Sequence, residues 1–150
     1  IEARFERIQL ECPAPLIEGA ADAFRAAAQA LPRTTAIVTG SDASTVEAFL
    51  EFSGLRSICA TYTSADMYQQ SKPHPESYLM TAQLLGVKAD HCLVFEDSEA
   101  GMHAASAAGM HCIAITAGQQ RRVEAGNALA TAIIEDYTHL PPDFFETVVA

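Results

Sequence analysis

The run Leu93-Val-Phe95 ends in two adjacent carboxylates, Glu96 and Asp97, and from Ser98 to Gly109 the chain is dominated by Ala and other small residues. A short apolar run of this kind reads as a buried, parallel-type strand, and small residues suit a helix packed closely on a sheet. The two acids then fall at the carboxyl end of a strand, the edge of an open α/β sheet at which ligands bind. Hard carboxylate oxygens in that position suit Mg²⁺. A plainer use also stands: Asp97 or Ser98 capping the helix that follows.

The segment Thr35-Ala-Ile-Val-Thr39-Gly40-Ser41-Asp42 repeats the design, with an apolar strand running into hydroxyls and a glycine before the amphipathic stretch Ala43 to Phe52. Such a turn can hold phosphate. The hydroxyls of Thr39 and Ser41 and amides at the helix start can donate to phosphoryl oxygens, and Gly40 lets the backbone come close. The alternative is a strand-to-helix turn capped by Ser41 or Asp42. Neither a P-loop nor a GxGxxG motif is present.

In Ser71-Lys72-Pro73-His74-Pro75-Glu76-Ser77-Tyr78, two prolines stiffen the chain and the second can open a helix. Lys72 is one of only two lysines, with Lys88 the other. A lysine on a rigid loop is more suggestive of a fixed cation than one on a helix face, and the alternative is an ordinary surface lysine. His74 has no partner at ligand spacing and reads as structural.

The same alternation continues along the chain. Helices are expected over 19–31, 43–52, 75–85, 99–108 and 140–149, and strands over 35–38, 57–62, 92–95, 111–115 and 132–134. Residues 118–127, with Arg121 and Arg122, read as a loop with a short helix. This order implies an α/β fold, a Rossmann-like parallel sheet with helices on both faces. The 150 residues, 49% of them hydrophobic, fit one core domain. Nineteen acids against nine bases give a formal charge of −10, which excludes a nucleic-acid-binding surface. An anionic ligand must be attracted by local positive groups. No apolar run is long enough to span a membrane, and no signal-peptide pattern begins at Ile1. Cys12, Cys59, Cys92 and Cys112 show no Cys-x-x-Cys spacing, and the last three fall in expected strands, which fits small core residues in a reduced, cytoplasmic setting.

From Pro15 to Thr116, these segments resemble the haloacid dehalogenase superfamily of hydrolases, and within it the sugar-phosphate phosphatase and β-phosphoglucomutase-like branch. The most specific part is Val-Phe-Glu-Asp-Ser-Glu-Ala-Gly with the following Ala-Ala-x-x-Ala-Gly-Met. The resemblance implies a Mg²⁺-dependent enzyme of the HAD-like core fold acting on a small phosphorylated metabolite as a monomer or homodimer. It makes Thr39, Lys72 and Asp97 the catalytic residues. Thr39, Gly40, Ser41 and Lys72 would bind the substrate phosphate, and Glu96 and Asp97 would hold the metal, Glu96 directly or through water.

One departure from the family pattern stands out. The superfamily's first motif, Asp-x-Asp-Gly-Thr, supplies the nucleophile and a general acid/base, yet this chain has no Asp-x-Asp. Residues 1–10 read as a charged amphipathic helix, which the resemblance makes the last helix of an α-helical cap. Residues 12–19 then form the hinge. The expected organisation is therefore residues 1–14 as the end of the cap and hinge, and 15–150 as a core lacking its first strand. In the family, that strand lies between those ending at Thr39 and Glu96. The nucleophile would lie upstream, and the 150 residues alone would be inactive. The expected function is phosphomonoester hydrolysis through an aspartyl-phosphate. Alternatives are a phosphosugar mutase, which Asp42 disfavours, or a non-catalytic HAD-like binding protein. A receiver domain places its acidic pair first in the chain, and a haloalkanoate dehalogenase needs no Mg²⁺, so both fit poorly.

Overall fold

A computed structural model describes residues 16–119 and 124–149. The expected cap helix and hinge over 1–14, Cys12, Arg121 and Arg122 lie outside those residues. In chain order the regular elements are α1 (Ala20–Ala30), β1 (Ala36–Val38), α2 (Ala43–Ser53), β2 (Thr61–Thr63), α3 (Glu76–Leu85), β3 (Leu93–Glu96), α4 (Glu99–Ala107), β4 (His111–Ile115), β5 (Ala132–Ile134) and α5 (Phe144–Val149), with short 3₁₀ turns between several of them. This is the expected α/β alternation.

Several expectations shift, and the last helix begins at Phe144 rather than at residue 140. β2 starts at Thr61 rather than at residue 57, because the amides of Ile58 and Cys59 turn back onto the Leu55 carbonyl at 3.1 and 2.9 Å while Leu55 is buried. Cys59, ahead of β2, and Cys92, just ahead of β3, lie half-buried outside the strands, and of the three described cysteines only Cys112 sits in a strand, β4.

All three strand pairs are parallel, but they form two separate sheets. β1 pairs with β2, and β3–β4–β5 form the second group. No ladder joins β1 to β3 among the described residues. Helix α3 ties the groups together, packing on β1, β2 and α4. Its Tyr78 shares a core with Val94 of β3, Met102, Ala104 and Ala105 of α4, and Cys112 and Ala114 of β4, and Val38 of β1 packs against the same cluster. A smaller cluster of Val46, Leu50 and Leu55 joins Phe24 and Ile37.

Strand alternation sorts β3 into two faces. Val94 and Glu96 point toward α3 and α4. Phe95 points the other way into an aromatic group, with ring centroids 5.3 Å from Tyr137 and 6.2 Å from Phe145. The small residues of α4 allow close approach to the sheet, and Ala104 and Ala105 are wholly buried. Among the described residues, no helix is long and apolar enough to cross a membrane.

Met102 is wholly buried, and its Cε lies 2.4 Å from where a Cβ on Gly126 would stand. Truncation would open a void between α4 and the 3₁₀ turn Glu124–Leu129. Met102→Ala should cost about 2–5 kcal/mol, the usual range for such core truncations, read as a lower midpoint in chemical denaturation at an unchanged slope. A loss below about 1 kcal/mol would mean that this contact is loosely packed.

Candidate active site

Of the three segments singled out in the sequence, two meet directly through the Lys72–Glu96 ion pair, and the third ends at Thr39, whose carbonyl meets Tyr68 of the loop that carries Lys72. Thr39 follows β1, and Glu96 closes β3 with Asp97 next. Lys72 comes from the loop before α3, which is pinned from within. The Glu76 carboxylate accepts the amides of Gln69 and Gln70 at 3.0 and 2.8 Å, and the Tyr68 hydroxyl donates to the Thr39 carbonyl at 3.0 Å. His74 uses its Nδ1 to accept the Glu76 amide at 3.2 Å, a structural role as expected. Pro75 immediately precedes α3, and the Lys72–Pro73 peptide is cis.

Glu96 is the centre of the site. Its side chain is only 6% exposed, and Oε1 accepts from both the Lys72 ammonium and the Tyr78 hydroxyl. Oε2 accepts from the Ser98 hydroxyl at 3.1 Å. A buried carboxylate left unpaired would be very costly, so these donors are what make its burial tolerable. The floor beneath it is Gly101, where an added Cβ would lie 1.9 Å from the Glu96 Cδ.

The two possible caps are now separated. Ser98 caps α4, accepting the Gly101 amide at 3.1 Å. Asp97 is not needed for capping and makes no side-chain hydrogen bond among the described residues. Its charge is felt by the half-buried Tyr137, whose hydroxyl is pushed up to about 12 by loss of water contact first and then by Asp97 and Glu96. Burial and the Glu96 charge together push the Tyr78 hydroxyl far above its ordinary range and the Cys112 thiol up to about 11. The Tyr78 proton therefore stays in place as a donor.

At the other strand end, the Thr39 Oγ1 accepts the Ser41 amide at 3.0 Å, which leaves its hydroxyl proton free to donate elsewhere. Nothing lies within 4 Å of where a Cβ on Gly40 would stand, so the backbone there is open to a ligand. The helix-start amides are less available than the sequence suggests. Asp42, rather than Ser41, caps α2 by accepting the Thr45 amide at 2.9 Å, and Asp66 accepts the Ala43 amide at 3.1 Å. Those bonds hold both carboxyls below their ordinary range, Asp42 chiefly through the Thr45 amide and Asp66 chiefly through the Ser64 hydroxyl.

Glu96 and Asp97 present the hard oxygens that suit Mg²⁺. No group of three His, Cys, Asp or Glu that could hold a metal occurs among the described residues. Asp97, whose carboxylate is unengaged among the described residues, still fits Mg²⁺, which commonly takes one or two carboxylates and fills its shell with water and substrate phosphate, whereas both Glu96 oxygens already accept from Lys72, Tyr78 and Ser98.

Sequence reasoning missed Tyr78 and Glu76. Tyr78 lies six residues beyond Lys72, a spacing without local meaning until α3 turns its ring into the core. Glu76 was visible only as a first-turn acid.

Comparison with known proteins places this geometry in context. The pattern of a hydrolase family, the haloacid dehalogenase-like hydrolases, matches residues 2–109. Fructose-1-phosphate phosphatase YqaB of Escherichia coli (strain K12) is 41% identical over 81 residues, 54% of this chain and 43% of its own length. Hexitol phosphatase A of the same organism is 38% identical over 82 residues, 55% of this chain and 38% of its own. A crystal structure of mutant CbbY from Rhodobacter sphaeroides, in complex with xylulose-(1,5)bisphosphate, superposes with a TM-score of 0.78 at 29% identity, covering 92% of this chain and 61% of that one. The chain thus spans less than half the length of the two phosphatases.

Gly101→Ala tests the floor of the site. At an open helical position alanine would stabilise by up to about 1 kcal/mol. Here it should destabilise by about 1–3 kcal/mol, as overpacking does, because the Glu96 carboxylate is tied on three sides and must be displaced. A raised thermal midpoint would contradict the packing described.

Proposed function

The chain belongs to the haloacid dehalogenase-like hydrolase family, and from that premise we propose that it carries the core of a Mg²⁺-dependent phosphatase hydrolysing a small phosphomonoester of the sugar-phosphate or phosphoglycolate type. The observation that carries this reading is Lys72, a cation fixed by a buried carboxylate with a donor to spare, while the Thr39 hydroxyl at the end of β1 also keeps its proton free to donate.

In this reading the reaction passes through an aspartyl-phosphate, with the nucleophilic aspartate supplied from upstream of residue 1 on a strand entering between β1 and β3. Thr39 donates its hydroxyl proton to a phosphoryl oxygen, and the Gly40 amide and Ser41 side chain line the same turn. Lys72 has three N–H donors and directs two of them to Glu96 and Tyr78, leaving one for the phosphoryl group. Phosphoryl transfer needs little covalent help beyond the nucleophile, so fixing donors around the developing charge is the main task of these residues. When bound on Asp97, and on Glu96 directly or through water, Mg²⁺ would offset charge on the phosphoryl oxygens. The 150 residues alone lack the nucleophile and are proposed to be inactive. Three unpaired thiols, Cys59, Cys92 and Cys112, are in keeping with a cytoplasmic setting.

Hydrolysis is favoured over a phosphosugar mutase reaction by Asp42 and Asp66, which bring two carboxylates to the start of α2. Like charge there disfavours a second phosphate group.

The test is a steady-state assay of the protein expressed from its complete gene against a panel of phosphomonoesters. Activity should require Mg²⁺ and be abolished by chelation. Lys72→Ala should lower turnover by at least about two orders of magnitude, a usual loss for one electrostatic contact to the reacting group. Near-normal turnover in that variant would return Lys72 to an ordinary structural cation.

A further inference from the structure

Tyr78 belongs to no part of the machinery described so far, yet it touches two of its members. Its hydroxyl lies 3.2 Å from the Lys72 ammonium and donates to the same Glu96 oxygen that Lys72 meets. The ammonium also stands 4.8 Å from the centroid of the Tyr78 ring, within cation–π range. The ring is 4% exposed, on the rigid helix α3, in the core with Val94, Met102 and Cys112. A phenol offers one proton and lone pairs. It can therefore donate to Glu96 and accept from Lys72 at once, which phenylalanine cannot do.

We propose that Tyr78 is a positioning residue whose hydroxyl, fixed by the core, ties the Lys72 ammonium and the Glu96 carboxylate into one geometry. A lysine on four methylenes has many rotamers, and Glu96 alone leaves the ammonium free to pivot about a single oxygen. The hydroxyl and the ring face add two more points of contact, so the cation is held before any ligand arrives. The catalytic consequence rests on the phosphatase reading: an ammonium placed in advance stabilises charge in transfer more than it strengthens substrate binding.

Two measurements on the complete protein test this. In lysine-¹⁵Nζ-labelled samples, this chain contributes only Lys72 and Lys88, and Lys72→Arg assigns the Lys72 signal. The wild-type Lys72 ammonium should exchange with water more slowly than that of the exposed Lys88, and Tyr78→Phe, which keeps the ring, should remove most of that protection. In parallel, Tyr78→Phe should lower kcat about tenfold with KM within about twofold, as displacement of a positioned group does. An unprotected Lys72 signal in the wild type overturns the proposal whatever the variant does. So does unchanged protection, or unchanged kcat, in Tyr78→Phe. Loss of protection in the variant of a wild type devoid of phosphatase activity supports the tether and overturns the phosphatase reading.

Discussion

A carboxylate buried at the end of strand β3 is the constraint that organises this molecule. Glu96 can occupy its place only because Gly101 leaves room below it and because Lys72, Tyr78 and Ser98 supply donors on its other sides. Each of those donors arrives on a different element. Lys72 comes with the proline-flanked loop, Tyr78 with α3 and Ser98 with the cap of α4. Removing one partner from such a group leaves an unpaired buried charge, which is far more costly than the pair is stabilising. The ion pair is therefore better understood as a device that fixes positions than as a source of stability.

A chain with a formal charge of −10 needs such a device if, as proposed, it binds an anion. In the proposed reading the donors offered to a phosphoryl group are local, and bound Mg²⁺ would offset the Asp97 charge beside them. They consist of one ammonium with a donor to spare, an open backbone at Gly40 and the hydroxyl of Thr39. Asp42 and Asp66 limit them on one side by consuming the Thr45 and Ala43 amides.

Much of this was legible in the sequence because it is written locally. The apolar runs ending at Val38 and Phe95, the small residues of α4 and the Lys-Pro-x-Pro loop each carry their own signal, and the element order followed. What was hidden depends on tertiary contact. The choice between Asp97 and Ser98 as the cap could not be made from two adjacent capping residues, and the same held for Ser41 and Asp42. Tyr78 reads as a core aromatic on α3 until the loop before it folds back. The late start of β2 reflects the turn onto Leu55, which competes with β-branched and apolar residues that read as a strand.

The central claim is that Thr39, Gly40 and Lys72 cradle a phosphoryl group beside Asp97. A crystal structure of the complete protein grown with Mg²⁺ and tungstate, a phosphate mimic located by its anomalous signal, tests it most directly. The account predicts tungstate within hydrogen-bond reach of the Thr39 hydroxyl, the Gly40 amide and the Lys72 ammonium, with a metal on Asp97. Tungstate bound elsewhere, with Lys72 still turned wholly to Glu96, would contradict it.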